Sequence, residues 1–168
     1  MVIATYGGPM LRYLLLALVL APLGTPAQQA VSPKPSVPFR AYDPGRDAGR
    51  DIQDAISQAK SAHKRVLIEV GGNWCVWCRY IEEFFATHPE IRDYRDRNYV
   101  LVRVNFSEEN KNEAVLSQYG KIAGYPHIFV LESDGRLLHS QNTSELEQGR
   151  GYSEAAMKKF LEKWAPPA

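Results

Sequence analysis

Cysteine is scarce in this chain of 168 residues: there are only two, and they stand three positions apart. Two cysteines cannot form the network of disulfides that stabilises many small exported proteins. A second cysteine pair and a closely spaced histidine pair are also missing from the sequence, so the usual four ligands of a structural zinc site are lacking. Covalent haem attachment requires histidine directly after the second cysteine, and Arg79 stands there instead.

An excess of charge of either sign is absent too. Lys and Arg total 20, Asp and Glu total 19, and the net charge is +1. This balance argues against nucleic acid or a charged membrane surface as the partner. The length fits one compact domain with short extensions.

The N-terminus has the layout of a secretory signal peptide. Arg12 precedes an apolar run over residues 13–21, and small residues follow up to Ala27. The run falls far short of the ~20 apolar residues that a spanning helix requires. We therefore expect residues 1–27 to be a signal peptide and the protein to be periplasmic or otherwise secreted, with no stable membrane insertion after processing. An uncleaved anchor is the alternative, and Met10 is a second candidate for the true start.

After the predicted signal peptide, residues 28–42 are rich in Pro, Ser and Ala and predict an extended tether. Residues 39–42 could add an edge strand to the domain that follows. We expect that domain to cover residues 43–168.

Apolar periodicity within the domain predicts helices alternating with strands. Helices are predicted over residues 47–63, from Cys78 to the residue before Pro89, in a short segment that begins at Pro89, over residues 110–119, and after Ser153. Strands are predicted over residues 66–70, 99–104, 127–131 and 136–139. Strands separated by helices should pair in parallel, and the last two, joined by a tight turn, should pair antiparallel. The sequence thus predicts an α/β fold with a central mixed sheet of about four strands and helices on both faces.

The two cysteines follow a predicted buried strand and open a predicted helix. A helix N-terminus offers free N–H groups and partial positive charge, which favour a thiolate. We expect Cys75 to be the exposed nucleophile that attacks a substrate disulfide, and the more buried Cys78 to resolve the mixed disulfide. A structural disulfide is a weaker alternative, because closing so short a loop stabilises a fold by only about 2 kcal/mol. A metal site or an unreactive pair also remains open.

Three features together resemble the thioredoxin superfamily: the Trp74-Cys75-Val76-Trp77-Cys78 segment, the acid-bearing strand before it, and Gly124-Tyr125-Pro126 before a strand. The resemblance covers residues 47–165. It is closest to exported thioredoxin-like domains, such as the C-terminal domain of the disulfide reductase DsbD. It implies the thioredoxin fold and exchange with protein disulfides or thiols. We expect no bound cofactor or metal, because the electrons of this exchange lie in the cysteine pair. In an oxidising compartment the pair also requires an upstream electron donor.

The resemblance also implies roles around the cysteines. Pro126 would be cis and face the pair, leaving the Tyr125 backbone free to pair with substrate; an ordinary trans turn is the alternative. Glu69 stands where the superfamily has a buried acid that takes the proton of the second cysteine, unless it turns to solvent. Trp74 and Trp77 would form the substrate surface, although Trp74 could equally pack in the core.

We therefore expect a protein thiol–disulfide oxidoreductase. Val76 and Trp77 add no charge or hydroxyl that would stabilise a thiolate, which favours a reductase over a strong oxidant. The alternatives are a thioredoxin-fold binding module with an inert disulfide, and a dedicated reductase in cytochrome or metal-centre maturation. His127 is expected to be a plain strand residue.

Overall fold

The computed structural model describes residues 1–3 and 39–167. The predicted signal peptide from residue 4 onward and most of the predicted tether lie outside the described residues. Among the residues that are described, none belongs to a helix long and apolar enough to cross a membrane.

Helices and strands follow one another largely in the predicted order. The helices are α1 (Ala48–Ala62), α2 (Val76–Thr87), α3 (Pro89–Asn98), α4 (Glu113–Leu116) and α5 (Glu154–Lys163). The strands are β1 (Arg65–Gly71), β2 (Tyr99–Asn105), β3 (His127–Leu131), β4 (Leu137–Asn142), β5 (Glu147–Gln148) and β6 (Gly151–Tyr152). Short 3-10 helices cover Ser117–Tyr119 and Thr143–Leu146. The β5–β6 hairpin was not predicted, because two-residue strands are too short for a periodic signal.

The main sheet has four strands in the order β2-β1-β3-β4, which confirms the predicted mixed sheet. β1 pairs with β2 in parallel, whereas β3 is antiparallel to both of its neighbours. The expectation that strands separated by a helix pair in parallel is therefore wrong for β3. Because β2 is parallel to β1 and β3 is antiparallel to it, the chain enters β3 from the same end of the sheet at which β2 stops.

The predicted helix over residues 110–119 is shorter than expected. Asn112 has a left-handed backbone with φ of 50°, so α4 begins only at Glu113. The Asn112 amide donates to the carbonyl of Asn105 over 2.7 Å, and its own N–H donates to the Asn110 side chain. Asparagine side chains that bond nearby backbone compete with helix formation in this way.

The core has two large clusters, one on each face of the sheet, and a small third cluster of Tyr42, Cys75 and Cys78. β1 sends Val66, Ile68 and Val70 to the face covered by α1, and Leu67 to the face covered by α2 and α5. Side chains alternate along a strand, so Glu69 belongs to the same face as Leu67. This alternation places the one acid of β1 beneath the helix that carries the cysteines.

The expected edge strand over residues 39–42 is wrong. This segment, called the strap below, has no strand pairing. The Asn73 side chain forms hydrogen bonds with both backbone groups of Tyr42. Its amide oxygen accepts from the N–H over 3.2 Å, and its nitrogen donates to the carbonyl over 2.6 Å. The strap is thus held against the loop that precedes the cysteines instead of against the sheet.

Candidate active site around the cysteine pair

Cys75 and Cys78 form a disulfide at the start of α2, with their Cα atoms 5.2 Å apart. Cys75 is the N-cap of this helix, and its sulfur accepts the Cys78 backbone N–H over 3.1 Å. An N-cap position directs the free N–H groups of the first turn toward the cap side chain. The sulfur of Cys75 therefore receives the stabilisation that a thiolate would need.

The two sulfurs differ in exposure less than expected. Cys75 is 5% exposed and Cys78 is fully buried, so the prediction of an exposed Cys75 is wrong for the disulfide form. Phe39, Trp77 and Tyr125 pack against the cluster that holds the cysteines and cover much of it. The predicted order of burial, with Cys78 the deeper of the two, nevertheless holds.

Large side chains beside Cys75 project into solvent. Trp74 is 59% exposed and Val76 is 51% exposed, so the alternative that Trp74 packs in the core is wrong. The Trp74 indole N–H donates to the carbonyl of Phe106 over 2.6 Å, and its ring lies edge-on to Tyr125. Tyr125 in turn stacks on Phe106 with ring centroids 4.8 Å apart. These contacts hold an exposed indole in a fixed orientation next to the disulfide.

Trp77 occupies a different position from Trp74. It is half-buried and lies edge-on to Tyr80 and Tyr152, with ring centroids 5.3 and 5.9 Å away. The Tyr152 hydroxyl approaches the Trp77 carbonyl at 3.5 Å. Trp77 thus joins the disulfide cluster to the core between α2 and β6.

The loop before β3 packs against the cysteine pair through Tyr125. The Tyr125–Pro126 peptide bond is cis, in agreement with what the resemblance implies. Pro126 is buried and its carbonyl accepts a hydrogen bond from the Thr143 hydroxyl over 2.5 Å. Tyr125 packs against the cluster formed by Tyr42 and the two cysteines. The structure therefore brings the predicted Tyr125-Pro126 element to the cysteine pair.

Glu69 is buried at 2% exposure, so the alternative of a solvent-facing strand-end acid is wrong. Its carboxylate accepts the Tyr42 hydroxyl over 2.5 Å. Burial raises the pKa of Glu69, and the nearby Glu82 charge raises it further, whereas Arg103 and the Tyr42 hydrogen bond oppose the shift. Because its pKa is raised, the Glu69 carboxylate is a stronger proton acceptor than a solvent-exposed glutamate.

Glycine at position 71 leaves space beside β1 for the Tyr42 hydroxyl and the Cys78 sulfur. A Cβ atom on Gly71 would lie 2.5 Å from the Cys78 sulfur and 2.8 Å from the Tyr42 hydroxyl oxygen. Gly71 follows Glu69 by two residues and so points to the same face of β1. The Tyr42 hydroxyl therefore occupies the space that joins Glu69 to Cys78.

Four residues of this site were not predicted: Tyr42, Asn73, Glu82 and Arg103. Arg103 pairs with Glu69 across the β1–β2 register, and its Nε donates to the Glu82 carboxylate over 2.5 Å. Arg103 is the one charged residue in an otherwise apolar predicted strand, and this pattern could have predicted that it pairs with a buried acid. Tyr42 and Asn73 lie in irregular segments, where no periodicity marks a residue as buried.

His127 is a buried strand residue, as expected. Its Nε2 lies 2.8 Å from the Ser140 hydroxyl, and its Nδ1 has no hydrogen-bond partner among the described residues. Burial lowers the pKa of His127, and the nearby His139 lowers it further. No cluster of three potential metal ligands occurs in the part of the chain that the structure describes.

A family model described as thioredoxin-like matches residues 47–133, and the chain belongs to this family. Disulfide bond reductase DsbH of Chlamydia pneumoniae is 26% identical over 94 residues, which cover 51% of this chain and 56% of DsbH. Thiol:disulfide interchange protein DsbD of Tatumella citrea is 29% identical over 85 residues, which cover 51% of this chain and 14% of DsbD. The chain thus spans about half the length of DsbH and a small part of DsbD.

Solved structures share the fold. A disulphide isomerase from Xylella fastidiosa Temecula1 superposes with a TM-score of 0.64 at 23% identity, covering 77% of this chain and 98% of the isomerase. The C-terminal domain of Neisseria meningitidis DsbD in its reduced form superposes with a TM-score of 0.52 at 20% identity, covering 70% of this chain and 96% of that domain. Both likenesses agree with the thioredoxin fold built above.

Proposed function

We propose that this protein is a thiol–disulfide oxidoreductase that reduces disulfides of protein substrates through Cys75 and Cys78. The observation that carries the proposal is the asymmetric setting of the pair. Cys75 caps the N-terminus of α2 beside exposed apolar side chains, and Cys78 lies buried next to a group bonded to Glu69. A disulfide with a purely structural role would need neither feature.

The reaction starts from the reduced pair. The Cys75 thiolate, stabilised by the helix N-terminus and the Cys78 N–H, attacks one sulfur of the substrate disulfide. The substrate disulfide breaks, one substrate thiolate leaves, and a mixed disulfide forms on Cys75. Cys78 then loses its proton and attacks the Cys75 sulfur, which releases the second substrate thiolate. Two electrons pass from the pair to the substrate, and the pair ends as the disulfide.

The substrate contacts the exposed surface around Cys75. Trp74 and Val76 offer apolar contact, and the Tyr125 backbone beside the cis bond offers hydrogen bonds to an extended substrate chain. Trp77 supports this surface from the half-buried layer beneath it. Protein substrates with an exposed disulfide in an extended segment fit this arrangement.

The same proposal includes the direction of electron flow, from the cysteine pair to the substrate, and the compartment in which the protein acts. The signal-like N-terminus supports export to the periplasm or another oxidising compartment, where the pair stays oxidised unless a donor reduces it. The similarity to DsbH, a disulfide bond reductase, supports reduction, and the similarity to DsbD, a thiol:disulfide interchange protein, supports exchange. An upstream dithiol donor is therefore required to return Cys75 and Cys78 to their thiol forms.

Insulin reduction tests the proposal. With dithiothreitol as the donor, the wild-type protein should accelerate the precipitation of insulin chains, and Cys75→Ser should reduce the rate to that of dithiothreitol alone. The reduction potential of the pair, measured against glutathione, should lie nearer −270 mV than −120 mV. Wild-type protein without activity above the dithiothreitol background would contradict the proposal and favour a binding module with an inert disulfide.

A further inference from the structure

We propose that Tyr42 is a positioning residue that relays the proton of Cys78 to Glu69 while the mixed disulfide is resolved. The inference rests on the proposed function, because it concerns the second step of that reaction. It assigns the strap a part in the chemistry of the cysteines.

The relay rests on one hydrogen bond and on one shared space beside Gly71. The Tyr42 hydroxyl donates to the Glu69 carboxylate over 2.5 Å. The same oxygen and the Cys78 sulfur lie 2.8 and 2.5 Å from the point where a Gly71 Cβ would be. Tyr42 and Cys78 also share one buried cluster, at 2% and 0% exposure. The hydroxyl therefore stands between the acid and the thiol, at the one place on β1 where no side chain fills the space.

The strap holds this hydroxyl in place. Asn73, two residues before Cys75, binds the backbone N–H and carbonyl of Tyr42. Phe39 packs edge-on to the Tyr42 ring with centroids 6.3 Å apart, and Arg79 lies over the Phe39 ring at 5.8 Å. Backbone bonds and ring contacts together fix both the position and the tilt of the phenol.

The charges around Glu69 favour a neutral relay. The titratable and charged groups that face it are Tyr42 from the strap, Cys78 and Glu82 from α2, Arg103 from β2, Arg95 from α3 and Tyr152 from β6. Burial raises the pKa of Tyr42 well above its ordinary value, and the Glu69 charge raises it further. The phenol consequently stays protonated, and it can pass a proton along a hydrogen bond without becoming an anion.

The step is balanced in atoms and electrons. The Cys78 proton moves to the Tyr42 oxygen as the Tyr42 proton moves to the Glu69 carboxylate. The Cys78 sulfur then forms a bond to the Cys75 sulfur, and the bond between Cys75 and the substrate sulfur breaks. The substrate leaves as a thiolate that water protonates, and Glu69 returns its proton through Tyr42 to the Cys78 thiolate when the donor next reduces the pair.

Stopped-flow reaction with dithiobis(nitrobenzoate) separates the two steps. Reduced protein releases one coloured thiolate when Cys75 attacks and a second when Cys78 resolves the adduct. In Tyr42→Phe we expect the loss to be confined to the second phase, which should slow roughly 10-fold or more near pH 7. The difference from wild type should shrink toward pH 10, because a Cys78 thiol that ionises by itself needs no relay.

The double variant and a matched control sharpen the test. Tyr42→Phe combined with Glu69→Gln should be no slower than the slower single variant, because both changes interrupt one path. Tyr99→Phe, which removes a buried hydroxyl bonded to the Leu161 carbonyl away from the cysteines, should leave both phases at wild-type rates. Should Tyr42→Phe fail to fold, Asn73→Ala keeps the hydroxyl but loosens the strap. Its second phase should slow in the same pH-dependent way.

Two results would overturn the relay: a second phase unchanged in the variants, or a second phase slowed equally at every pH, which would indicate a displaced Cys78. Either result with an active wild-type protein leaves the proposed function standing. A wild-type protein that reduces no insulin and shows no second phase would overturn the proposed function itself.

Discussion

The two sulfurs of the Cys75–Cys78 disulfide have different surroundings, one exposed and apolar, the other buried and polar. Beside Cys75 lie the exposed side chains of Trp74 and Val76, which carry no charge. Beside Cys78 lie buried polar groups, above all Glu69 with its hydrogen-bonded Tyr42. The two surroundings lie on opposite sides of a single helical turn.

This difference gives two chemically identical thiols different roles: Cys75 attacks the substrate and Cys78 resolves the mixed disulfide. Attack on a substrate requires access and a stabilised thiolate, and the N-cap position supplies the latter. Resolution requires that a buried thiol lose its proton, and water is excluded from that side. A protein group must therefore accept the proton there, which is the property that burial gives to a carboxyl group.

Removal of the buried sulfur should have the largest effect on activity. Cys78→Ala should abolish turnover and leave substrate covalently attached to Cys75, because no thiol remains to resolve the adduct. Mass spectrometry after reaction with a disulfide peptide should detect the protein plus one peptide thiol. Cys75→Ser should form no such adduct at the same pH. Continued turnover by Cys78→Ala would mean that the two sulfurs are not specialised.

The pH dependence of stability tests the buried side with a smaller effect. Because the pKa of Glu69 is raised in the folded protein, its contribution favours folding at low pH and is lost as pH rises from 4.5 through the raised value. Glu69→Gln keeps an acceptor for Tyr42 but cannot ionise. The variant should therefore lose less stability than wild type between pH 5 and pH 8, measured by thermal unfolding of the disulfide form.

A matched control for that measurement is Glu83→Gln, which alters an exposed glutamate of α2. This variant should keep the wild-type slope of stability against pH. Equal slopes for wild type and Glu69→Gln would show that Glu69 is not held in a state that favours the proton.

The smallest effect is expected on the exposed side. Trp74→Ala should raise KM for a protein substrate roughly fivefold, since truncating a contact aromatic commonly costs about 1 kcal/mol or more. The rate with a small aromatic disulfide should change little, because such a reagent reaches Cys75 without the indole. Steady-state kinetics with both substrates would check this, and equal losses for both would contradict a docking role.

The regular elements and the cysteines of this site were readable from sequence. A buried strand, a cysteine pair opening a helix and a proline before the next strand give strong local patterns, and the structure assembles them as expected. The burial of Glu69 was predicted only through the resemblance, because alternation along a strand does not tell which face is covered.

Contacts from irregular segments were beyond the reach of sequence patterns. Tyr42 is placed by the Asn73 side chain and by an open space over Gly71, and neither has a periodic signature. The late start of α4 has the same cause, because two asparagine side chains that bond backbone delay it to Glu113.

Because Gly71 has no side chain, Tyr42 and Cys78, which are far apart in the chain, occupy the same space beside β1. The volume that a methyl group would need there is already shared by the Tyr42 phenol and the Cys78 sulfur. A smaller residue at position 42 would not make room for a methyl group there, because the Cys78 sulfur would still lie 2.5 Å from it. Position 71 should therefore accept only glycine for as long as Cys78 is kept.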